Sequence, residues 1–169
     1  MLPAVPPPVR VRPATPADLP AIGRLGALLV RLHHDLDPAR FLAATPGTAE
    51  GYAAYLGTRL ERTDGVVLVA EGDGTVLGYV WGGLEGTDYM ALRGPAGALY
   101  DLVVDPAHRD RGVGRMLLEA ATAALASLGA PRVVLSTAAR NAAAQRLFTR
   151  AGFRPTMIEM TRELGGGEG

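Results

Sequence analysis

Between Tyr100 and Arg115 the chain reads YDLVVDPAHRDRGVGR: an apolar strand, a turn at Asp105-Pro106, then a loop of arginines and glycines that opens a helix. No other segment restricts the fold as much. The main-chain N–H groups at a helix start lack partners within the helix, and the helix dipole adds partial positive charge there. Gly112 and Gly114 leave room for a close approach, and Arg109, Arg111 and Arg115 add charged donors around the rim. The segment predicts a pocket for a polyanion, most simply a pyrophosphate. Two other readings compete. One is a surface loop with solvated arginines. The other is a dinucleotide-binding loop, which lacks support because Leu117 stands where a third glycine belongs and no acidic residue closes a second strand.

The rest of the chain supplies a scaffold of alternating strands and helices. A strand is predicted near Val9 to Arg12, and Thr15-Pro16 then starts a helix whose Leu19, Ile22, Leu25, Leu29 and Leu32 recur at helical spacing to about Leu36. A second helix is expected from Thr48 to Arg62. Val66 to Glu71 and Val76 to Leu84 read as strands joined by a Gly72-Asp73-Gly74 hairpin turn. After a loop over 86–97 come a strand from Ala98 to Val104, a helix from Gly112 to Leu128, a strand from Val133 to Ser136, a helix from Asn141 to Arg150 and a last strand from Thr156 to Glu163. The pattern predicts an α/β layered fold with helices on the faces of a mixed sheet. One domain is expected over 9–163, with a flexible proline-rich leader at 1–8 and a glycine-rich tail at 164–169.

Composition removes several chemistries. All 17 basic residues are arginines, so there is no Schiff-base lysine and no P-loop lysine. Cysteine is absent, which excludes disulfides, thiolate nucleophiles and cysteine-held zinc; with three histidines only, no metal is expected. Acidic residues also number 17, so the formal net charge is zero and neither nucleic acid nor membrane is an expected partner. The opening MLPAVPPPVR lacks the basic and long apolar segments of a signal peptide, and cytoplasm is the expected compartment.

Three motifs in order resemble the GNAT N-acetyltransferase superfamily. Arg109-x-x-Gly112-x-Gly114, preceded by Leu102-Val103-Val104-Asp105-Pro106, is similar to its acyl-CoA pyrophosphate signature. The run Val11-Arg12-Pro13-Ala14-Thr15-Pro16-Ala17-Asp18-Leu19 resembles its first strand and helix start, and Asn141-x-x-Ala144-x-x-Leu147-Phe148-x-x-x-Gly152-Phe153 its second CoA-side element. The likeness covers about 9–163 and implies a mixed, mostly antiparallel central sheet with a splayed parallel strand pair and helices on both faces. It implies acetyl-CoA as co-substrate, a primary amine as acceptor, direct attack without an acyl-enzyme, and frequent homodimers; a CoA-binding regulator without turnover is the alternative.

Residue by residue, the resemblance assigns the main chain of Leu102, Val103 and Val104 to the pantetheine arm, with a Val103 N–H stabilising the oxyanion. Arg109 and the amides of Asp110, Arg111, Gly112, Val113, Gly114 and Arg115 would hold the pyrophosphate. Asp110 stands where glycine is common, so its carboxylate is expected to point away. Asn141 would contact the arm, and Asp101 is the first candidate for the base that deprotonates the amine. Phe148 departs from the common tyrosine and cannot protonate the leaving thiolate, so it is expected to pack near the sulfur. Ser136, Thr137 and Tyr100 are the other hydroxyls in reach. Asp35 and Asp37 could attract a cationic acceptor, and Trp81, Tyr52, Tyr55 and Tyr89 could line its pocket.

Overall fold

The structure, a computed structural model, describes residues 8–165. Residues 1–7 and 166–169, which hold nearly all of the predicted leader and most of the predicted tail, lie outside the described residues. The elements run β1 (Arg10–Pro13), α1 (Leu19–Leu36), α2 (Thr48–Gly57), β2 (Gly65–Gly72), β3 (Thr75–Glu85), β4 (Ala96–Val104), α3 (Val113–Ser127), β5 (Val133–Leu135) and α4 (Ala142–Arg150). The five strands form one sheet in the order β1-β2-β3-β4-β5. All neighbours are antiparallel except β4 and β5, which run parallel.

Side chains alternate across the strands, and each face of the sheet carries its own core. Val67, Val69, Tyr79 and Val103 meet Ile22, Leu25 and Leu56 of α1 and α2. On the other face Ala70, Val80 and Leu99 meet Val113, Leu117, Leu118, Ala121 and Leu125 of α3, with Leu147, Phe148 and Phe153 packed at the margin. The mixed sheet with helices on both sides agrees with the predicted fold. The hairpin turn also agrees: Asp73 and Gly74 take φ of 51° and 69°, the left-handed pair that a two-residue turn requires.

Three boundaries differ from the sequence expectation. Pro16–Asp18 is a 3-10 turn rather than the first turn of α1, because the Asp18 carboxylate accepts from Thr15 N–H at 2.7 Å and from Arg12 at 2.8 and 2.9 Å. The second helix stops at Gly57 instead of Arg62; Thr58 donates both its N–H and its hydroxyl to Tyr55 O, which closes the last turn. The strand expected at 156–163 does not form. That segment pairs with no strand among the described residues, its Glu159 is held by an ion pair to Arg40, and Met157, Ile158 and Met160 are 71–89% exposed.

Candidate active site

The parallel pair β4–β5 ends early. Its register runs Gly97–Val133, Ala98–Val134 and Leu99–Leu135, after which β4 continues through Tyr100–Val104 with β3 alone at its side. A bulge sits at this point: Trp81 opposes Asp101 while the next residue, Gly82, opposes Leu99, so Tyr100 is the extra residue. Bulges bend a strand and re-aim its side chains. The result is a gap in the sheet beside 100–104, where the resemblance placed a splayed pair.

The direction of the main chain corrects one assignment. Val103 O lies against Gly78 of β3, and Asp105 N–H donates to Leu77 O, also of β3. Main-chain groups in a strand alternate sides. Val103 therefore turns its N–H and C=O to β3, and Leu102 and Val104 turn theirs to the gap. Val104 O is met from that side by Arg109 Nε at 3.4 Å. The Val103 N–H, expected as the oxyanion donor, is spent on the sheet; its neighbours are the ones aimed outward.

From Val104 the chain turns through Asp105, whose side chain accepts from Ala107 N–H at 2.8 Å, and reaches the start of α3. Gly112 caps that helix at φ 77°, with open space where a Cβ would be. Its glycine is required by backbone conformation rather than by crowding. Gly114 differs: a Cβ there would stand 3.3 Å from Leu147 of α4 and 3.6 Å from Val104. Asp110 adopts φ 61°, a conformation that suits glycine, which explains why glycine is the commoner residue of the motif. No side chain caps α3, so the first-turn amides of Val113, Gly114 and Arg115 remain donors, and buried Val113 anchors them. Arg109 and Arg111 are exposed on the rim, whereas Arg115 is paired with Glu119 at 2.7 Å. Asn141 accepts from Ala144 N–H at 3.1 Å as the cap of α4, which leaves its amide NH2 as a donor. Phe148 packs at the margin of the α3 core, its ring 6.1 Å from that of Phe153.

Across the sheet from this loop, Asp101 is the centre of a polar cluster. Its Oδ2 accepts from the Tyr79 hydroxyl at 3.0 Å and from Trp81 Nε1 at 2.9 Å. Burial pushes the Asp101 carboxyl above its ordinary value, and the two hydrogen bonds and nearby His33 oppose this only in part. Burial likewise raises Tyr79 well above a free phenol, and Tyr52, which also faces Asp101, to about 12. Both phenols are protonated at neutral pH.

Against the Trp81 ring opens a cavity of about 340 Å³ lined by Tyr55, Arg59, Trp81 and Tyr100 among others; Asp101, which accepts from the Trp81 indole, is not itself a lining residue. Trp81 lies 5.6 Å from Tyr55 edge-on and 4.3 Å from Tyr100, so the three rings form one wall. The Tyr100 hydroxyl donates to Glu85 at 2.7 Å, and burial followed by that bond raises its pKa to about 12. Asp35 and Asp37 at the end of α1 are not among the lining residues, and neither are Tyr52 and Tyr89. Sequence reading missed Tyr79 and Arg59. Tyr79 stands two residues before Trp81 on one strand face, and that spacing is the signal that could have found it.

Among the described residues no group of three or more His, Asp or Glu side chains could hold a metal ion, and no helix is long and apolar enough to cross a membrane. The profile of the Acetyltransferase (GNAT) family matches residues 29–153, most of the chain, and the chain belongs to that family. It is 39% identical to a mycothiol acetyltransferase of Thermobispora bispora over 96 residues, 54% of this chain and 31% of the relative. It is 37% identical to that of Acidothermus cellulolyticus over 117 residues, 63% and 36% of the two chains. The chain thus spans about a third of the length of these curated relatives. Among solved structures, a GCN5-related N-acetyltransferase from Ralstonia eutropha superposes with TM-score 0.71 at 25% identity, covering 94% of this chain and all of that one. An aminoglycoside N-acetyltransferase in complex with CoA gives TM-score 0.70 at 18% identity, covering 97% and 99%, and shares the fold.

Proposed function

We propose that the chain transfers the acetyl group of acetyl-CoA to a primary amine of a small molecule or peptide, by direct attack. One observation carries the reading: β4 loses its parallel neighbour after Leu99 and leads, through the 105–112 turn, to the uncapped N-terminus of α3. A long ligand with an amide-bearing arm and a diphosphate head fits such a path, because the gap offers main-chain groups and the helix start offers an anion site.

Acetyl-CoA supplies the activated carbonyl when bound. The amides of Val113, Gly114 and Arg115, with those of Asp110 to Gly112, hold the diphosphate, and Arg109 and Arg111 screen its charge. Main-chain groups of Leu102 and Val104 bind the arm and stabilise negative charge on the thioester oxygen. The Asn141 NH2 meets the arm from α4, and Phe148 closes the apolar side. Asp101 takes the proton of the attacking amine through Oδ1, directly or by one water, while Tyr79 and Trp81 fix Oδ2. Thiolate departure needs no acid at Phe148, since a thiol of pKa ~8.5 leaves readily as the anion.

Pairing of two copies belongs to the same reading. The outer edge of β5 has no neighbour among the described strands, and the segment 156–163, with Met157, Ile158 and Met160 exposed, pairs with none of them. Donor and acceptor of a strand exchange are thus both present. Light scattering should give the mass of a dimer, and of a monomer for Ile158→Asp.

The activity is tested by mixing the protein with acetyl-CoA and a broad amine and peptide panel, with detection of free thiol. Thiol release that requires an amine supports transfer. Thermal stabilisation by acetyl-CoA with no release on any acceptor would favour a CoA-binding regulator instead.

A further inference from the structure

Along α1 the side chains of Ile22, Leu25 and Leu29 face the core that holds Tyr79 and Val103. His33 lies about three turns after Ile22 and within about 20° of it around the helix axis, so this apolar face ends in an imidazole. On β4 the side chain next to Val103 on the same face is Asp101; the two stand opposite Tyr79 and Trp81 of β3. The charge of His33 reaches Asp101 and favours its ionised form. The His33 ring is fixed at two points. Nδ1 lies 2.9 Å from Leu29 O, one turn back, and a carbonyl oxygen can only accept. Nδ1 therefore carries a proton in either charge state, and Nε2 is the nitrogen that gains or loses one. Phe41 meets the ring edge-on at 5.0 Å, and its own carbonyl oxygen accepts from His34 Nδ1 at 2.9 Å. Protonation at Nε2 breaks neither contact. The ring is half-buried, and Nε2 has no hydrogen-bond partner among the described residues.

We infer that His33 is a positioning residue for Asp101: held by Leu29 and Phe41 at the end of α1, its ring places positive charge beside the carboxylate and keeps the proposed base ionised in spite of its burial. The groups that face Asp101 are His33 from α1, Tyr52 from α2 and Tyr79 from β3, besides the Trp81 indole. Both phenols are neutral, so His33 is the member of this set that can be cationic. An imidazole is charged through the range in which most carboxyls titrate, so the two charges coexist where the base would otherwise be lost. Arg40, stacked on Phe41 at 4.9 Å, is paired with Glu159 and belongs to a separate pair. His34 supplies an internal control. It is the adjacent residue and makes the same kind of bond to a carbonyl, but it is not among the groups that act on Asp101.

The inference rests on Asp101 being the base of the proposed transfer, but its first test needs no turnover. Trp81 is the only tryptophan of the chain and donates its indole N–H to Asp101, so its fluorescence reports the ionisation of that carboxyl. The full chain is titrated with acid and base in the absence of substrate, with circular dichroism as the check on folding. Wild type should show a transition that Asp101→Asn removes. His33→Gln should move that transition to higher pH, because the favourable charge is gone. His33→Arg, which keeps a cation, should hold it at or below the wild-type position, and His34→Gln should leave it in place. In the transfer assay His33→Gln should lower kcat/KM about threefold or more on the acid limb and leave the alkaline side unchanged. The inference is overturned if the transition is missing from wild type or survives Asp101→Asn. It is equally overturned if His33→Gln leaves the transition in place, or if His34→Gln moves it as far. The expected fluorescence shifts without thiol release on any acceptor would instead sink the transfer reading and leave the His33–Asp101 pair standing.

Discussion

Asp110 holds a left-handed conformation at the mouth of the proposed anion site, and its side chain brings negative charge near where a diphosphate would lie. Asp110→Gly should therefore raise stability by about 1 kcal/mol and tighten CoA binding; a thermal melt with and without CoA checks both. Gly112→Ala should cost about 1 kcal/mol although its Cβ meets nothing, because φ 77° is the whole constraint. If Asp101 is the base, as proposed, it governs the pH profile. Its folded pKa is raised, so the base is lost as pH falls through a value above the ordinary ~4, and kcat/KM should show an acid limb there. Asp101→Asn should remove that limb and lower kcat/KM roughly a hundredfold at neutral pH, and by less at alkaline pH where the free amine is abundant. Equal losses at both would rule out a base. The strand, the turn and the glycine-opened helix start were legible in the sequence because they adjoin a recognisable motif. Which of three consecutive valine and leucine amides faces the gap was not, since it depends on the parity set by the bulge at Tyr100.

At the scale of elements, α1 and α2 are drawn together by two glycines. A Cβ on Gly26 would stand 2.3 Å from the Tyr52 ring, and one on Gly23 would stand 2.3 Å from the Ala49 carbonyl oxygen. Gly26→Ala should cost roughly 1–3 kcal/mol because a ring can shift, and Gly23→Ala more because a helix backbone cannot; chemical denaturation measures the difference. The Arg12–Asp18–Glu71 cluster ties β1 to β2 and to the turn before α1. Its hydrogen bonds to Arg12 lower Asp18 to about 2, so its stabilisation is full above the ordinary ~4 and lost as pH falls toward 2. The stability gap between the wild type and Asp18→Asn, about 2 kcal/mol at neutral pH, should close over that window. Periodicity and turn residues made the helices and the hairpin readable. The strand expected at 156–163 did not form although the β5 edge is open among the described strands, and the Arg40–Glu159 ion pair that holds the segment elsewhere joins residues too far apart in sequence to be foreseen.

For the molecule as a whole, the sheet divides the labour. In the proposed reading one face carries the helix start and the α3–α4 core that would meet the cofactor, and the other carries Asp101 and the aromatic wall that would meet the acceptor. The gap beside Tyr100–Val104, where β4 has lost its β5 partner, would be the passage between them. Sequence named Trp81 and Tyr55 for a pocket wall but also Tyr52 and Tyr89, and not Tyr100, because the three rings come from α2, β3 and β4 and meet only after the sheet has formed. The most direct measurement is a calorimetric titration of the full chain with CoA and, separately, with pantetheine, which has the arm but no diphosphate. Saturable binding of CoA, with pantetheine at least a hundredfold weaker (roughly the loss of several charge-assisted bonds), is the expected result. No heat with CoA, or equal affinity for the two, would contradict a diphosphate held at the start of α3.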